Sequence, residues 1–209
     1  MPVNPLAPWR VRNSALHSRK VVVRDGHWGR KIGCSPEFLA WLTDPVQNGG
    51  GALIDGCYGA NLMTWLMEGA APLSVTAITQ QIKPMIYPNV DDEATVILTY
   101  PHAQCIIQAS WNWPYHRKDL EVYGKTGYLH AVDRQTVRLR ADAKSQEQTL
   151  TLPPQPAPHD DPFAYLAAVV RGDVAVAATD LSALANNVMV VRILDAARTS
   201  AQQGKTVTL

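Results

Sequence analysis

Four polar side chains interrupt the otherwise apolar segment "NGGGALIDGCYGANLMTWLM" (residues 48–67): Asp55, Tyr58, Asn61 and Thr64, each three residues from the next. A carboxylate and a phenol at the mouth of a pocket can orient a substrate and exchange a proton with it. Three glycines, Gly49 to Gly51, run into the segment, and glycine lets a ligand or another backbone come close. In a helix, residues three apart are offset by about −60° around the axis. Asp55 and Tyr58 are then neighbours, Asn61 lies a step further round, and Thr64 faces away from Asp55. Asp55, Tyr58 and Asn61 are therefore expected to converge near the N-terminal end of the helix, with Thr64 making a local contact. The same residues also have a purely structural explanation. Asp55 would cap the helix at its positive end, and Tyr58 would be a core aromatic with its hydroxyl paired. Periodicity does not separate the two.

The elements that must position these groups follow from patterning. "RKVVVRDGH" (residues 19–27) has a β-branched centre and ends at Asp-Gly, which predicts a strand. "SPEFLAWLTDP" (35–45) predicts a short helix with Ser35 as N-cap, Pro36 in the first turn and Pro45 as the stop. A helix over residues 55–67, closed by Gly69, follows. The period then becomes alternating, and strands are expected at 73–82, 93–100, 104–113, 118–124, 127–132, 136–141 and 148–152. Short turns such as "PHA" and "KTG" make several of them antiparallel neighbours, and the alternation of "TVRLRA" predicts one solvated face.

"PPQPAPHDDP" (153–162) is a connector without regular structure. Two helices close the chain, in "DPFAYLAAVVRGD" and "TDLSALANNVMVVRILDAARTSAQQG". The second is expected to be capped by Thr179 or Asp180 and ended by Gly204. "KTVTL" would add an edge strand. The order predicts an α+β fold: one large open, mainly antiparallel β-sheet with helices packed on one face. It lacks the βαβ alternation of a doubly wound nucleotide-binding fold. Residues 1–18, with three prolines, predict an irregular lead-in, and residues 19–209 one domain.

The 209 residues suffice for one real core. A net charge of +1 favours neither nucleic acid nor a membrane surface. No apolar run is long enough to span a bilayer, and the start lacks the apolar core of a signal peptide. Cys34, Cys57 and Cys105 lie far apart without Cys-x-x-Cys or Cys/His clustering, so no disulfide framework or metal site is signalled. Their odd number fits a reducing, cytoplasmic setting.

"GGGALIDGCYGANLMTWLMEG" resembles the signature at the head of the C-terminal domain of the Gfo/Idh/MocA oxidoreductases, which include glucose–fructose oxidoreductase and inositol dehydrogenase. "DDEATVILTY", "AQCIIQASWNWP", "LEVYGKTGYL" and "RTSAQQGKTVTL" resemble later segments of that domain in the same order, so the resemblance runs over roughly residues 19–209. It implies a glyceraldehyde-3-phosphate dehydrogenase-like C-terminal domain that binds a sugar, polyol or cyclitol and forms a homo-oligomer through the open sheet face. It places Tyr58 at the family's catalytic His or Tyr, as proton donor or acceptor. A tyrosine ordinarily titrates near pH 10, so that role needs a positive charge nearby. Asp55 is implied as a substrate-binding carboxylate, and His27, at a strand end that faces the cleft in this family, as a substrate contact or else a surface-loop histidine. Asn61 joins them as a candidate contact on helix geometry alone.

Two departures stand out. The family places its Asp four residues before the His or Tyr, whereas Asp55 is three before Tyr58. A missing residue rotates Asp55 by about 100° on a helix. There is also no Gly-x-Gly-x-x-Gly after a strand and no Glu-Lys-Pro. The family's NAD or NADP is therefore not expected to be bound by this chain alone, and the isolated chain is expected to be inactive. The alternative is a non-enzymatic carbohydrate-binding or structural oligomerisation module.

Trp111 and Trp113 alternate in "SWNWP", which predicts a shared face. They would line a sugar pocket, or else pack in the sheet or a subunit interface. His116, Arg117 and Lys118 read as a solvated turn. Cys57 has no base spaced beside it and reads as a small buried residue.

Overall fold

The computed structural model describes residues 19–28 and 35–209, without the side chains of residues 19, 27 and 28. The expected lead-in and Cys34 lie outside the described residues.

Nine strands form one sheet in the order β8-β7-β6-β5-β1-β4-β3-β2-β9. They are β1 (Arg19–Trp28), β2 (Ser74–Gln80), β3 (Glu93–Thr99), β4 (Ala103–Trp113), β5 (Arg117–Tyr123), β6 (Tyr128–Ala131), β7 (Thr136–Arg140), β8 (Gln148–Thr151) and β9 (Val207–Thr208). Each agrees with an expected strand to within a few residues, and the "PHA" and "KTG" connections do join antiparallel neighbours. The architecture is the α+β one expected. Its internal arrangement carries one feature that no local pattern announced. β1 lies between β4 and β5, parallel to β4 and antiparallel to β5. Consecutive β4 and β5 thus do not pair with each other.

The helical segments are α1 (Pro36–Leu42), α2 (Ala52–Asp55), α3 (Cys57–Leu66), α4 (Pro162–Arg171) and α5 (Leu184–Gln203). Ser35 caps α1 by accepting from the Phe38 N–H at 3.2 Å. Asp161 caps α4, which ends at left-handed Gly172, and α5 ends at left-handed Gly204. The α5 helix starts later than expected, at Leu184 rather than after Thr179 or Asp180. The Asp180 carboxylate is taken by the N–H and hydroxyl of Ser182. This local turn competes with helical capping.

The core lies between the sheet and α2, α3 and α5. In-register residues Val21, Cys105 and Val122, then Val23, Ile107 and Leu120, point inward and are buried. Gly59 lets α3 approach this surface, because a Cβ there would meet the Ile107 side chain at 2.7 Å. The Ser200 hydroxyl of α5 accepts from the Ala77 N–H at 2.9 Å, satisfying a β2 donor beyond the short reach of β9. The other face carries the register row Thr76, Ile97, Ile106, Val22, Glu121, His130, Arg138 and Thr149. Ile78 is 64% exposed on the same side.

Candidate functional site

The segment expected to be one helix is two. α2 ends at Asp55, Gly56 turns the chain, and α3 restarts at Cys57. Gly51 explains why the glycine run is there. Its Cβ would fall 1.8 Å from the Asp91 carbonyl oxygen, and Ala52 N–H donates to that same oxygen at 2.9 Å. The Asp91 carboxylate also accepts from the Gly51 and Leu53 amides at 3.3 and 2.7 Å. The close approach is backbone to backbone.

Tyr58, on the first turn of α3, is 39% exposed. Its hydroxyl makes no hydrogen bond among the described residues. The Lys118 ammonium at the start of β5 lies 3.7 Å from the ring centroid, well within cation–π range. The same ammonium pairs with Asp25 of β1 at 3.2 Å. Register puts Lys118 opposite Asp25, so insertion of β1 beside β5 assembles the pair. Lys118 is therefore not simply part of a solvated turn. Its lone cue in the sequence is its position at a strand start. Cys57 borders the same charges. Contrary to the expectation of a small buried residue, Cys57 is exposed at the start of α3. Partial desolvation, then Asp55, still push its thiol above the usual range, which makes it a poor nucleophile.

The expected convergence of Asp55, Tyr58 and Asn61 is not what the side-chain hydrogen bonds of Asp55 and Asn61 show. The Asp55 carboxylate accepts from the indole N–H of Trp111 at 2.7 Å. Trp111 is 1% exposed and stacks at a tilt on Tyr87, with ring centroids 4.8 Å apart. Trp111 is thus a core residue packed within the fold and not the lining of an open pocket. Trp113 lies elsewhere. The register moves from Gly26 opposite Ser110 to Trp28 opposite Trp113, an extra residue on β4. Such a bulge reverses side-chain alternation. The Trp113 ring then covers Gly26, where a Cβ would come within 2.2 Å of it, and Arg117 stands 5.8 Å from its centroid. The two tryptophans occupy opposite faces, contrary to their spacing in the sequence.

Asn61 donates to the Leu181 carbonyl at 3.0 Å and to the Asn187 side chain at 3.3 Å, tying α3 to the turn before α5. Thr64 is buried and returns its hydroxyl to the Ala60 carbonyl at 2.9 Å, the local contact expected of it. His27 sits in β1, two residues after Asp25, and its side chain lies outside the described part.

The uncovered face holds a charge network. Arg24 donates to Asp119 at 3.0 Å and to Glu121 at 2.6 Å, and Arg117 adds a 2.7 Å bond to Asp119. His130 Nε2 is 3.3 Å from Asp119. Asp119, Glu121 and His130 are close enough to share a cation. Two guanidinium groups already neutralise both carboxylates, so this donor set is satisfied as it stands.

A family model described as the GFO/IDH/MocA C-terminal domain matches residues 20–130, just over half of the chain. No curated protein matches the sequence. Among solved structures, an aldose-aldose oxidoreductase from Caulobacter crescentus complexed with glycerol aligns with a TM-score of 0.73 and 23% identity, over 99% of this chain and 60% of its own. An inositol dehydrogenase homolog from Azotobacter vinelandii complexed with NAD+ gives 0.74 and 18%, over 98% and 61%. A levoglucosan dehydrogenase in complex with NADH and levoglucosan gives 0.73 and 18%, over 97% and 62%. At these identities the likeness is one of fold, and the chain spans about 60% of the length of those proteins.

Proposed function

Because the chain belongs to the family of GFO/IDH/MocA C-terminal domains, we propose that it is the substrate-binding and oligomerising domain of a dehydrogenase acting on a sugar, polyol or cyclitol. The observation that carries this reading is the exposed Tyr58, its hydroxyl unengaged among the described residues, with the Lys118 ammonium against its ring. In this reading Tyr58 exchanges a proton with a substrate hydroxyl, and Lys118 supplies the positive charge that such a phenol needs. Asp25 holds Lys118 in place. Asp55 is held by the core residue Trp111, and Asn61 keeps α3 in register with α5. His27 enters on its position in β1 alone. Trp113 belongs to the oligomerising face.

The residues of this chain do not fit a dinucleotide. The sequence has no Gly-x-Gly-x-x-Gly. Parallel pairing among the described strands is confined to β1 and β4, whose connection runs through β2 and β3 rather than as a βαβ crossover. Hydride transfer to NAD or NADP would therefore depend on a dinucleotide-binding unit, and this chain alone is proposed to be inactive. The open face, with Ile78, Ile97 and Ile106, is proposed to pair with a second copy.

The engagement of Asp55 by Trp111 favours a second reading, a non-enzymatic carbohydrate module. Fluorescence titration with NADH and NADPH, beside an NMR titration with myo-inositol, tests the first reading. The expected result is no dinucleotide saturation, and polyol-induced shifts at Tyr58 and Lys118 that Tyr58→Phe weakens. Saturable micromolar dinucleotide binding, or no shifts at Tyr58, would overturn it. Turnover on adding a dinucleotide-binding domain separates the enzyme from the module.

A further inference from the structure

A cleft of about 530 Å³ opens beside β2, on the far side of β4 and β3 from Asp25 and Lys118. Its volume lies within the range of small-molecule sites, roughly 300–1,000 Å³. Three segments enclose it: the glycine run before α2, the ends of β2 and the β2–β3 loop, and the last turns of α5. None of the residues around Tyr58 reaches it.

Its polar groups form a consistent set. Gln80, Asn89 and Gln202 line the cleft, and their side-chain amides make no hydrogen bond among the described residues. Each amide offers both donors and an acceptor. The Asp91 carboxylate is held still by the Gly51 and Leu53 amides and retains lone pairs beyond those two bonds. Arg198 uses one N–H on Asp195 at 2.6 Å and has others to give. Leu53 and Val90, with Pro45 and Pro88, supply carbon surface between these groups.

The charged lining residues are one cation and one anion, so the field selects neither a charged acid nor a charged base. The lining offers both donors and acceptors beside a small carbon surface. A hydroxyl both donates and accepts, so a chain or ring of hydroxyls matches this lining better than a ligand of one hydrogen-bonding sense. Gly49, with φ +84° and open space where a Cβ would stand, is part of the lining.

We propose that this cleft binds a neutral, polyhydroxylated small molecule, a polyol or sugar, at a site separate from Tyr58. It goes beyond the reading of the Tyr58 site and does not depend on it. A non-reacting site of this kind would let the concentration of such a compound act on the chain without competing at Tyr58.

The test is an amide-resolved NMR titration of the full chain with myo-inositol, D-glucose and, as a charged control, inorganic phosphate. The expected result is saturable shifts at Gly49, Gly50 and the side-chain amides of Gln80, Asn89 and Gln202. Arg198→Met and Gln202→Trp, both at exposed positions, should each weaken that response about tenfold with unchanged melting temperature, and Tyr58→Phe should leave it intact. Polyol shifts confined to Tyr58 and Lys118, absence of saturation at the cleft, or a preference for phosphate would each overturn the proposal. Cleft shifts without any at Tyr58 would instead count against the reading of the Tyr58 site.

Discussion

The ammonium of Lys118 lies 3.7 Å from the centroid of the Tyr58 ring and 3.2 Å from the Asp25 carboxylate. Three elements far apart in the chain meet there, and the side of the phenol that carries positive charge is set by a strand register. Tyr58, Lys118 and Asp25 therefore act as a unit that can be taken apart one residue at a time.

Lys118→Met should remove the charge and keep the stem. The exposed cation–π contact contributes about 0.5–1 kcal/mol, so urea unfolding should shift only slightly. Substrate-induced shifts at Tyr58 should fall much further than stability does. Equal losses in both would make Lys118 a structural residue only.

Trp111→Phe preserves most of the ring packing on Tyr87 and deletes the N–H that Asp55 accepts. Hydrogen bonds to charged groups are worth about 1.5–3 kcal/mol, and a loss of that order is expected by denaturant titration. Asp55→Asn in the Trp111→Phe background should cost less than it does alone, since the two share one bond. Additive losses would show that the bond contributes nothing measurable.

Gly51→Ala should be among the most damaging small substitutions. Its Cβ meets backbone atoms of Asp91, which cannot rotate away. A cost of about 2–3 kcal/mol is expected, read as a fall of several degrees in Tm. Gly49→Ala, with nothing near its Cβ but a left-handed φ, should cost about 1 kcal/mol. A reversed order would contradict the close approach of the two loops.

Acid should weaken the fold through the uncovered face. Burial raises the Asp119 carboxyl, but Arg117 and Arg24 outweigh it and hold it below its ordinary 3.8. Glu121 is likewise held below 4.5, where bonds from Tyr123 and Arg24 outweigh burial. Both bind protons less tightly folded than unfolded. Their stabilisation is present above their ordinary values of 3.8 for Asp119 and 4.5 for Glu121 and is lost as pH falls through their lowered folded values. Asp91, raised by burial, acts in the opposite sense and offsets part of the loss. Melting temperatures measured from pH 7 to 3 should drop steeply at the acid end, and Arg24→Gln should flatten that drop while lowering Tm at neutral pH. An unchanged acid slope in Arg24→Gln would remove the network from the explanation.

Self-association should be broken from the uncovered face. Ile106→Glu places a charge in the middle of the row formed with Ile97 and Val22. Sedimentation should show a dimer or larger species for the parent chain and a monomer for the variant. A monomeric parent at micromolar concentration would sink the oligomerising role.

Much of the molecule was legible locally. β-branched alternation marked the strands, and Ser35 and Gly204 marked helix ends, because each signal acts within a few residues of itself. Three features depended on contacts between distant parts of the chain. β1 entered between β4 and β5. An extra residue on β4 turned Trp113 away from Trp111. Lys118 came to rest on Tyr58. The sequence by itself determined which residues form strands and helices, since periodicity and capping are local. Only the tertiary structure decided which side chains share a face and which charge meets the phenol, since register and bulges depend on pairing with strands remote in the sequence.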